Sequence, residues 1–174
     1  MAQDIEHAPT PHGEQAPSSS MVIFGAGGDL TKRLLMPALY NLARTGLLPA
    51  HFALVGLDRI EQTDAQYRDH VEAAIRAFAA DKHYSQAIDE PSLQRLLASI
   101  VYMQADFSSP AAYQALGARL TQLKSSHSVG DSVMFYLAVG SRFFGPITDQ
   151  LGAAGLVTET PDYWRRVVVE KPFG

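Results

Sequence analysis

The feature that most limits the fold of this chain is the alternation of short apolar runs with longer segments of helical periodicity. The short runs are mostly apolar at consecutive positions, a pattern typical of strands buried on both faces. We therefore predict an α/β fold: a Rossmann-like, doubly wound, mainly parallel sheet with helices on both faces. The predicted strands cover 21–24, 52–57, 99–103, 132–139 and 166–169, and the predicted helices cover 29–45, 63–80, 91–99, 110–123 and 143–154.

Two residues refine the predicted helix boundaries. Pro37 lies inside the first helical stretch, and proline removes a backbone donor, so the helix is either kinked there or starts near it. Thr63 precedes the second helix and is a suitable capping residue.

The domain organisation follows from length and local composition. The chain has 174 residues, which fits one domain. Residues 1–20 contain three prolines, three serines and a single isoleucine, so we predict a disordered N-terminal tail there. Residues 21–174 are predicted to form the Rossmann domain.

Composition excludes several classes of function. Fourteen Lys and Arg against eighteen Asp and Glu give a net charge of −4, without the basic stripe of a nucleic-acid binder. The chain has no cysteine, which excludes disulfide frameworks and thiol nucleophiles and is compatible with the cytoplasm, the expected location. The histidines show no metal-binding spacing, so no metal site is predicted. No apolar run is long enough to span a membrane.

A glycine-rich segment links the first predicted strand to the first predicted helix. Its glycines are Gly25, Gly27 and Gly28, followed by Asp29 and Leu30. Glycines let a backbone approach a pyrophosphate closely, and a helix N-terminus favours a phosphate. The third glycine of the dinucleotide fingerprint is replaced by Leu30. The segment therefore indicates phosphate binding, and the alternative is a turn that only connects strand to helix.

The end of the second strand carries Asp58 beside Arg59. In dinucleotide folds an acid at this place accepts a hydrogen bond from the 2′-hydroxyl of NAD, whereas an arginine pairs with the 2′-phosphate of NADP. Arg59 favours NADP because a guanidinium matches phosphate geometry, and Asp58 would repel that phosphate. The sequence leaves NADP and NAD open, and a solvated surface pair is the third alternative.

The fifth strand ends in Glu170-Lys171-Pro172-Phe173-Gly174. A lysine at the carboxyl end of a strand in an α/β sheet can reach a ligand in the crevice. The alternative is an ordinary exit turn after the strand.

Taken in order, these segments resemble the N-terminal part of glucose-6-phosphate dehydrogenase. The resemblance covers residues 21–174 and is carried by GAGGDLTK at 25–32, LMPALYNL at 35–42, GLLP at 46–49, GLDR at 56–59, FYLA at 135–138 and VEKPFG at 169–174. It implies oxidation of glucose 6-phosphate at C1 to 6-phosphogluconolactone, with hydride transfer to NADP or, in some members, NAD. It also implies a coenzyme domain and, for the full-length protein, a homo-oligomer.

The same resemblance implies roles for individual residues. Residues Gly25 to Lys32, including Thr31, would hold the pyrophosphate, and Arg59 would hold the 2′-phosphate. Asp106 and Phe107 would line the adenosine side. Lys171 would bridge substrate and nicotinamide, followed by a cis peptide bond at Pro172.

The chain departs from the family pattern in three places. Gly27 stands where serine is usual, and Gly140-Ser141 stands where two prolines are usual. The family's catalytic histidine lies in an Asp-His-Tyr stretch beyond Glu-Lys-Pro, and that stretch does not occur in these residues. We therefore expect a truncated coenzyme domain that is inactive alone. The alternatives are a stand-alone NADP-sensing module and another sugar oxidoreductase with Glu-Lys-Pro.

Overall fold

The computed structural model describes residues 14–81 and 87–171. Five parallel strands form one sheet in the order β3-β2-β1-β4-β5. The strands are β1 (Ser19–Phe24), β2 (Phe52–Asp58), β3 (Ile100–Gln104), β4 (Val133–Leu137) and β5 (Arg165–Val169). The helices are α1 (Met36–Arg44), α2 (Asp64–Ala79), α3 (Glu90–Ala98), α4 (Pro110–Ser126) and α5 (Phe144–Ala153). The predicted mainly parallel α/β fold is confirmed.

Two separate apolar layers cover the two faces of the sheet. Met21 and Ile23 of β1 pack with residues of α1, α2 and α3. Val22 and Phe24 point to the opposite face and pack with residues of α4 and α5. Because successive side chains of a strand alternate between faces, a strand buried on both sides must be apolar at every position. This explains why the central strands read as continuous apolar runs.

The predicted boundary of the N-terminal tail at residue 20 is wrong. Ser19 and Ser20 belong to β1, where they are buried and pair with Phe52 and Ala53 of β2. Before them, the Ser18 hydroxyl donates to the carbonyl of His51 at 3.1 Å. Composition predicted disorder because serine carries little apolar surface, but pairing within a parallel sheet satisfies its backbone groups. Residues 1–13 lie outside the described residues.

The first helical stretch runs without a break from Asp29 to Arg44, with a π-helical turn at Thr31–Leu35 before α1. Pro37 has no N–H for the carbonyl four residues earlier, and the N–H of Met36 bonds to Thr31, five residues earlier. The predicted helix is therefore continuous across Pro37, and the change from π-helical to α-helical bonding lies beside it.

The order of the strands creates one crevice. The chain moves from β1 outward through β2 to β3, then returns to place β4 on the other side of β1. The connections after β1 and β4 therefore diverge, and ligands of α/β sheets bind at this switch point, beyond the carboxyl ends of the strands.

Candidate functional site

The residues predicted as a site follow four of the five strands at their carboxyl ends. The glycine-rich segment follows β1, Arg59 follows β2, Asp106 and Phe107 follow β3, and Lys171 follows β5. Parallel strands present all their carboxyl ends at one edge, so the topology brings these segments together at that edge.

The glycine-rich loop lies directly against the end of β4. Gly25 has a φ of +88°, which L side chains rarely adopt. A Cβ at this position would lie 2.4 Å from the carbonyl oxygen of Ala138 and 3.0 Å from Cγ1 of Val139. The N–H groups of Gly25 and Ala26 both donate to the carbonyl of Leu57, each at 2.9 Å. The loop is thereby fixed to both neighbouring strands.

The loop leads into a helix that presents free donors to the crevice. The first helical bond in this segment runs from the Lys32 N–H to the Gly28 carbonyl at 3.1 Å. The N–H groups of Asp29, Leu30 and Thr31 precede this bond and are the donors that a helix start leaves for an anion. The side chains of Asp29 and Lys32 are exposed beside them.

Thr31 has a different place from the one expected of a phosphate ligand. Its side chain is fully buried, and its hydroxyl donates to the Gly25 carbonyl at 2.9 Å. Leu30 is half-buried and packs against the apolar layer on the α1 side. The two side chains therefore shape the loop from inside, and only their backbone N–H groups remain for a ligand.

An aromatic side chain supports the loop from below. The hydroxyl of Tyr67 in α2 donates to the Ala26 carbonyl at 3.3 Å, and burial raises the pKa of Tyr67 above its usual value. The ring fits because β2 carries Gly56 at this point, where a Cβ would lie 2.6 Å from it. Tyr67 thus stays a protonated donor beneath the loop.

Asp58 binds the loop rather than facing open solvent. Its Oδ2 accepts a hydrogen bond from the Gly27 N–H at 2.7 Å, and its Oδ1 accepts one from the Arg59 N–H at 2.7 Å. Both carboxylate oxygens therefore have backbone donors in the described structure.

Arg59 lies in an open depression between the ends of β2 and β3. The depression is lined by Arg59, Gln104, Ala105, Asp106 and Ser108. The Gln104 side chain donates to the Arg59 carbonyl at 3.0 Å and so ties the two strand ends together. Hydrogen bonds from the Ser108 N–H and hydroxyl, with the nearby Arg59 guanidinium, hold the pKa of Asp106 below its usual value. The exposed Arg59 guanidinium can bind a phosphate, and the ionised Asp106 carboxylate beside it can accept a hydrogen bond from an adjacent hydroxyl or amino group.

Phe107 lies beneath this depression and not in its wall. Its side chain is buried, with its ring 5.3 Å from the ring of Phe24 in an edge-to-face arrangement. Its carbonyl accepts a hydrogen bond from Tyr113 at 2.8 Å, and burial raises the pKa of Tyr113 to about 12. The geometry thus gives the Phe107 ring a place in the core.

Two residues near Arg59, Phe143 and Arg142, were missed by sequence reasoning. Phe143 follows β4 in a short 3-10 turn, Ser141–Phe143. The Arg59 guanidinium lies 5.8 Å from the centre of its ring and that of Arg142 lies 4.8 Å from it. The Phe143 ring therefore lies beside two guanidinium groups at the switch point. The sequence signal was an aromatic residue beside an arginine just after a buried strand.

The fifth strand ends in a fixed glutamate and an exposed lysine. The hydroxyl of Tyr136, near the end of β4, donates to the Glu170 carboxylate. Burial, and then the Glu170 carboxylate, raise the pKa of Tyr136 above its usual value. Lys171 follows as an exposed side chain. Pro172, with the predicted cis peptide bond, lies outside the described residues.

Two further searches cover only the described ranges, 14–81 and 87–171. In them no three His, Cys, Asp or Glu side chains converge as a metal site would require. Within the same ranges no helix is long and apolar enough to cross a membrane.

The family of the chain follows from a sequence comparison. Residues 22–174 match the family described as glucose-6-phosphate dehydrogenase, NAD binding domain. The chain belongs to this family. The glucose-6-phosphate 1-dehydrogenase of Bacillus subtilis (strain 168) is 37% identical over 160 residues, which are 92% of this chain and 30% of that protein. The protein of that name from Mycolicibacterium smegmatis is 38% identical over 153 residues, 88% of this chain and 29% of its own length.

Solved structures of the glucose-6-phosphate dehydrogenase family share the fold. A glucose-6-phosphate dehydrogenase in complex with its substrate glucose-6-phosphate superposes with a TM-score of 0.75 at 26% identity, over 93% of this chain and 32% of that one. The glucose-6-phosphate 1-dehydrogenase of Mycobacterium avium gives a TM-score of 0.73 at 28% identity, over 91% and 31% of the two chains. The 174 residues thus span about 30% of the length of these relatives.

Proposed function

We propose that this chain is the NADP-binding part of a glucose-6-phosphate dehydrogenase. The observation that carries the proposal is the convergence of the loop after β1 with Arg59 at the switch point of a parallel sheet. The chain belongs to a family named for its NAD binding domain, so a nicotinamide nucleotide is the ligand. The choice of NADP over NAD is our inference from Arg59 and its surroundings.

The geometry fits such a nucleotide in two places. At Gly25 a Cβ would collide with the end of β4, so glycine is needed for the loop to lie at the switch point, where we place the pyrophosphate. Behind it, the N–H groups of Asp29 and Leu30 precede the first helical bond. The exposed guanidinium of Arg59 would pair with the 2′-phosphate. Asp106 and Gln104 would border the adenosine, and the Phe107 ring would support that wall from the core.

In the whole protein we propose oxidation of glucose 6-phosphate at C1 to 6-phosphogluconolactone. A bound nicotinamide supplies the hydride acceptor. Lys171 would lie at the carboxyl end of β5 and hold a substrate hydroxyl. Its neighbour Glu170 is fixed by Tyr136, which gives the segment a defined position. By the resemblance, the catalytic base would be the histidine of an Asp-His-Tyr stretch, which these residues do not contain. We therefore propose that the 174-residue chain has no turnover alone, and lactone formation by it would contradict this.

The binding proposal is tested by calorimetric titration of the chain with NADP and, in parallel, with NAD. We expect tighter binding of NADP. Arg59→Ala should lower NADP affinity about tenfold or more, because a charged hydrogen bond contributes about 1.5–3 kcal/mol, and should leave NAD affinity nearly unchanged.

Arg44→Ala is the matched control, since Arg44 is an exposed arginine at the end of α1. Equal loss of both nucleotides in Arg59→Ala would contradict the assignment of the 2′-phosphate. A folded chain that binds neither nucleotide would contradict the proposed function itself.

A further inference from the structure

Asp58 stands where dinucleotide-binding folds place an acid that accepts from the ribose. Here its carboxylate has other partners, because Oδ2 accepts from the Gly27 N–H and Oδ1 from the Arg59 N–H, both at 2.7 Å. The first bond joins the end of β2 to the glycine-rich loop after β1. The second holds the backbone of the residue that carries the phosphate-binding guanidinium. One carboxylate therefore fixes two parts of the site at once.

Glycine at position 27 is a geometric condition for this arrangement. A Cβ there would lie 2.9 Å from Oδ2 of Asp58, the same oxygen that accepts from the Gly27 N–H. A side chain there would therefore require the carboxylate to shift, although the backbone of Gly27 does not have a positive φ. The absence of a side chain at position 27 thus lets the Asp58 carboxylate approach the loop backbone to 2.7 Å.

We infer that Asp58 is a positioning residue that fixes the glycine-rich loop through its hydrogen bond to the Gly27 N–H, and we call this bond the latch. We also infer that Asp58 does not discriminate between NADP and NAD. This rests on the proposed function, since it concerns the same site. A latch acts on the shared pyrophosphate loop and on the Arg59 backbone, so its loss weakens both nucleotides and does not raise the preference for NADP. A reader of the ribose would act on the 2′ position and so change their ratio.

The test is a double-mutant cycle with Gly27→Ala, Asp58→Ala and the double variant, titrated with NADP and NAD. We expect Asp58→Ala to weaken both nucleotides at least tenfold, with the preference for NADP unchanged or lowered. Gly27→Ala should cause a similar loss alone and less than threefold further loss when Asp58 is already alanine. A loss confined to NAD, or a tenfold rise in the preference for NADP, would overturn the inference, as would additive losses in the cycle.

Further variants separate the latch from general damage. Gly152→Ala is the matched glycine control, because no atom lies within 4 Å of the added Cβ, and Asp69→Ala is the control for an exposed acid of α2. Asp58→Asn keeps one acceptor oxygen and should lose less affinity than Asp58→Ala for both nucleotides.

The stability of the wild type and of the three variants of the cycle is also measured by urea unfolding in the absence of nucleotide. Coupling between the Gly27 and Asp58 substitutions in the urea midpoint is expected even if the wild-type chain binds neither nucleotide. Failure of the proposed function and failure of the latch therefore give different results: absent binding in the first case, additive midpoint shifts in the second.

Discussion

The glycine-rich loop lies so close to β4 that adding one methyl group at Gly25 should lower the free energy of unfolding strongly. In Gly25→Ala the new Cβ would lie 2.4 Å from the Ala138 carbonyl oxygen, on a backbone with a φ of +88°. The left-handed conformation costs a residue with a Cβ about 1–2 kcal/mol, and overpacking against a fixed strand costs about 1–3 kcal/mol. We therefore expect a loss of about 2–5 kcal/mol, a large part of the 5–15 kcal/mol of stability typical of a domain.

The matched substitution is Gly46→Ala, which shares the backbone term and lacks the contact. Gly46 has a φ of +73° and no atom within 4 Å of an added Cβ. Only the conformational cost remains there, offset by the lower entropy of the unfolded chain, so we expect a loss of about 1 kcal/mol. The difference between the two variants isolates the approach of the loop to β4.

The assay is equilibrium unfolding in urea, followed by circular dichroism. At an m-value of about 2 kcal/mol/M, Gly25→Ala should lower the midpoint by about 1–2.5 M and Gly46→Ala by about 0.5 M. Equal midpoints for the two variants, with unchanged m-values, would refute the argument, because they would show that the Ala138 carbonyl yields without cost.

Three further outcomes follow from other contacts of the described residues. Thr63→Ala should lower stability by about 1 kcal/mol in urea unfolding, because it removes the capping box of α2; an unchanged midpoint would contradict this. Hydrogen bonds from Ser92 lower the pKa of Asp89, so its stabilising effect is present at neutral pH and lost as pH falls below about 4. Asp89→Asn, which keeps the cap, should therefore lose less stability between pH 7 and pH 3 than the wild type, and parallel losses would argue against the linkage. Phe143→Ala should weaken NADP about two- to fivefold in calorimetry, because it removes the ring that gathers two guanidiniums; unchanged affinity would remove Phe143 from the site.

Much of the fold could be predicted because local chemistry specifies it. Continuous apolar runs such as Val133–Leu137 can be satisfied only by burial on both faces, and the Thr63 cap marks a helix start by hydrogen-bonding rules. The predicted start of β1 was two residues late because the burial of Ser19 and Ser20 depends on their strand neighbours. A local sequence pattern does not predict which distant strands pair with each other.

The site divides in the same way. Residue type and position alone predicted that a glycine-rich turn opens a helix and that Arg59 follows a strand. The three-dimensional packing was needed to show that Asp58 binds the Gly27 N–H, that the Phe107 ring belongs to the core, and that Phe143 lies beside Arg59. The physical reason is the strand order β3-β2-β1-β4-β5, which joins segments far apart in the chain at one edge, where distances of a few ångströms decide each side chain's partner.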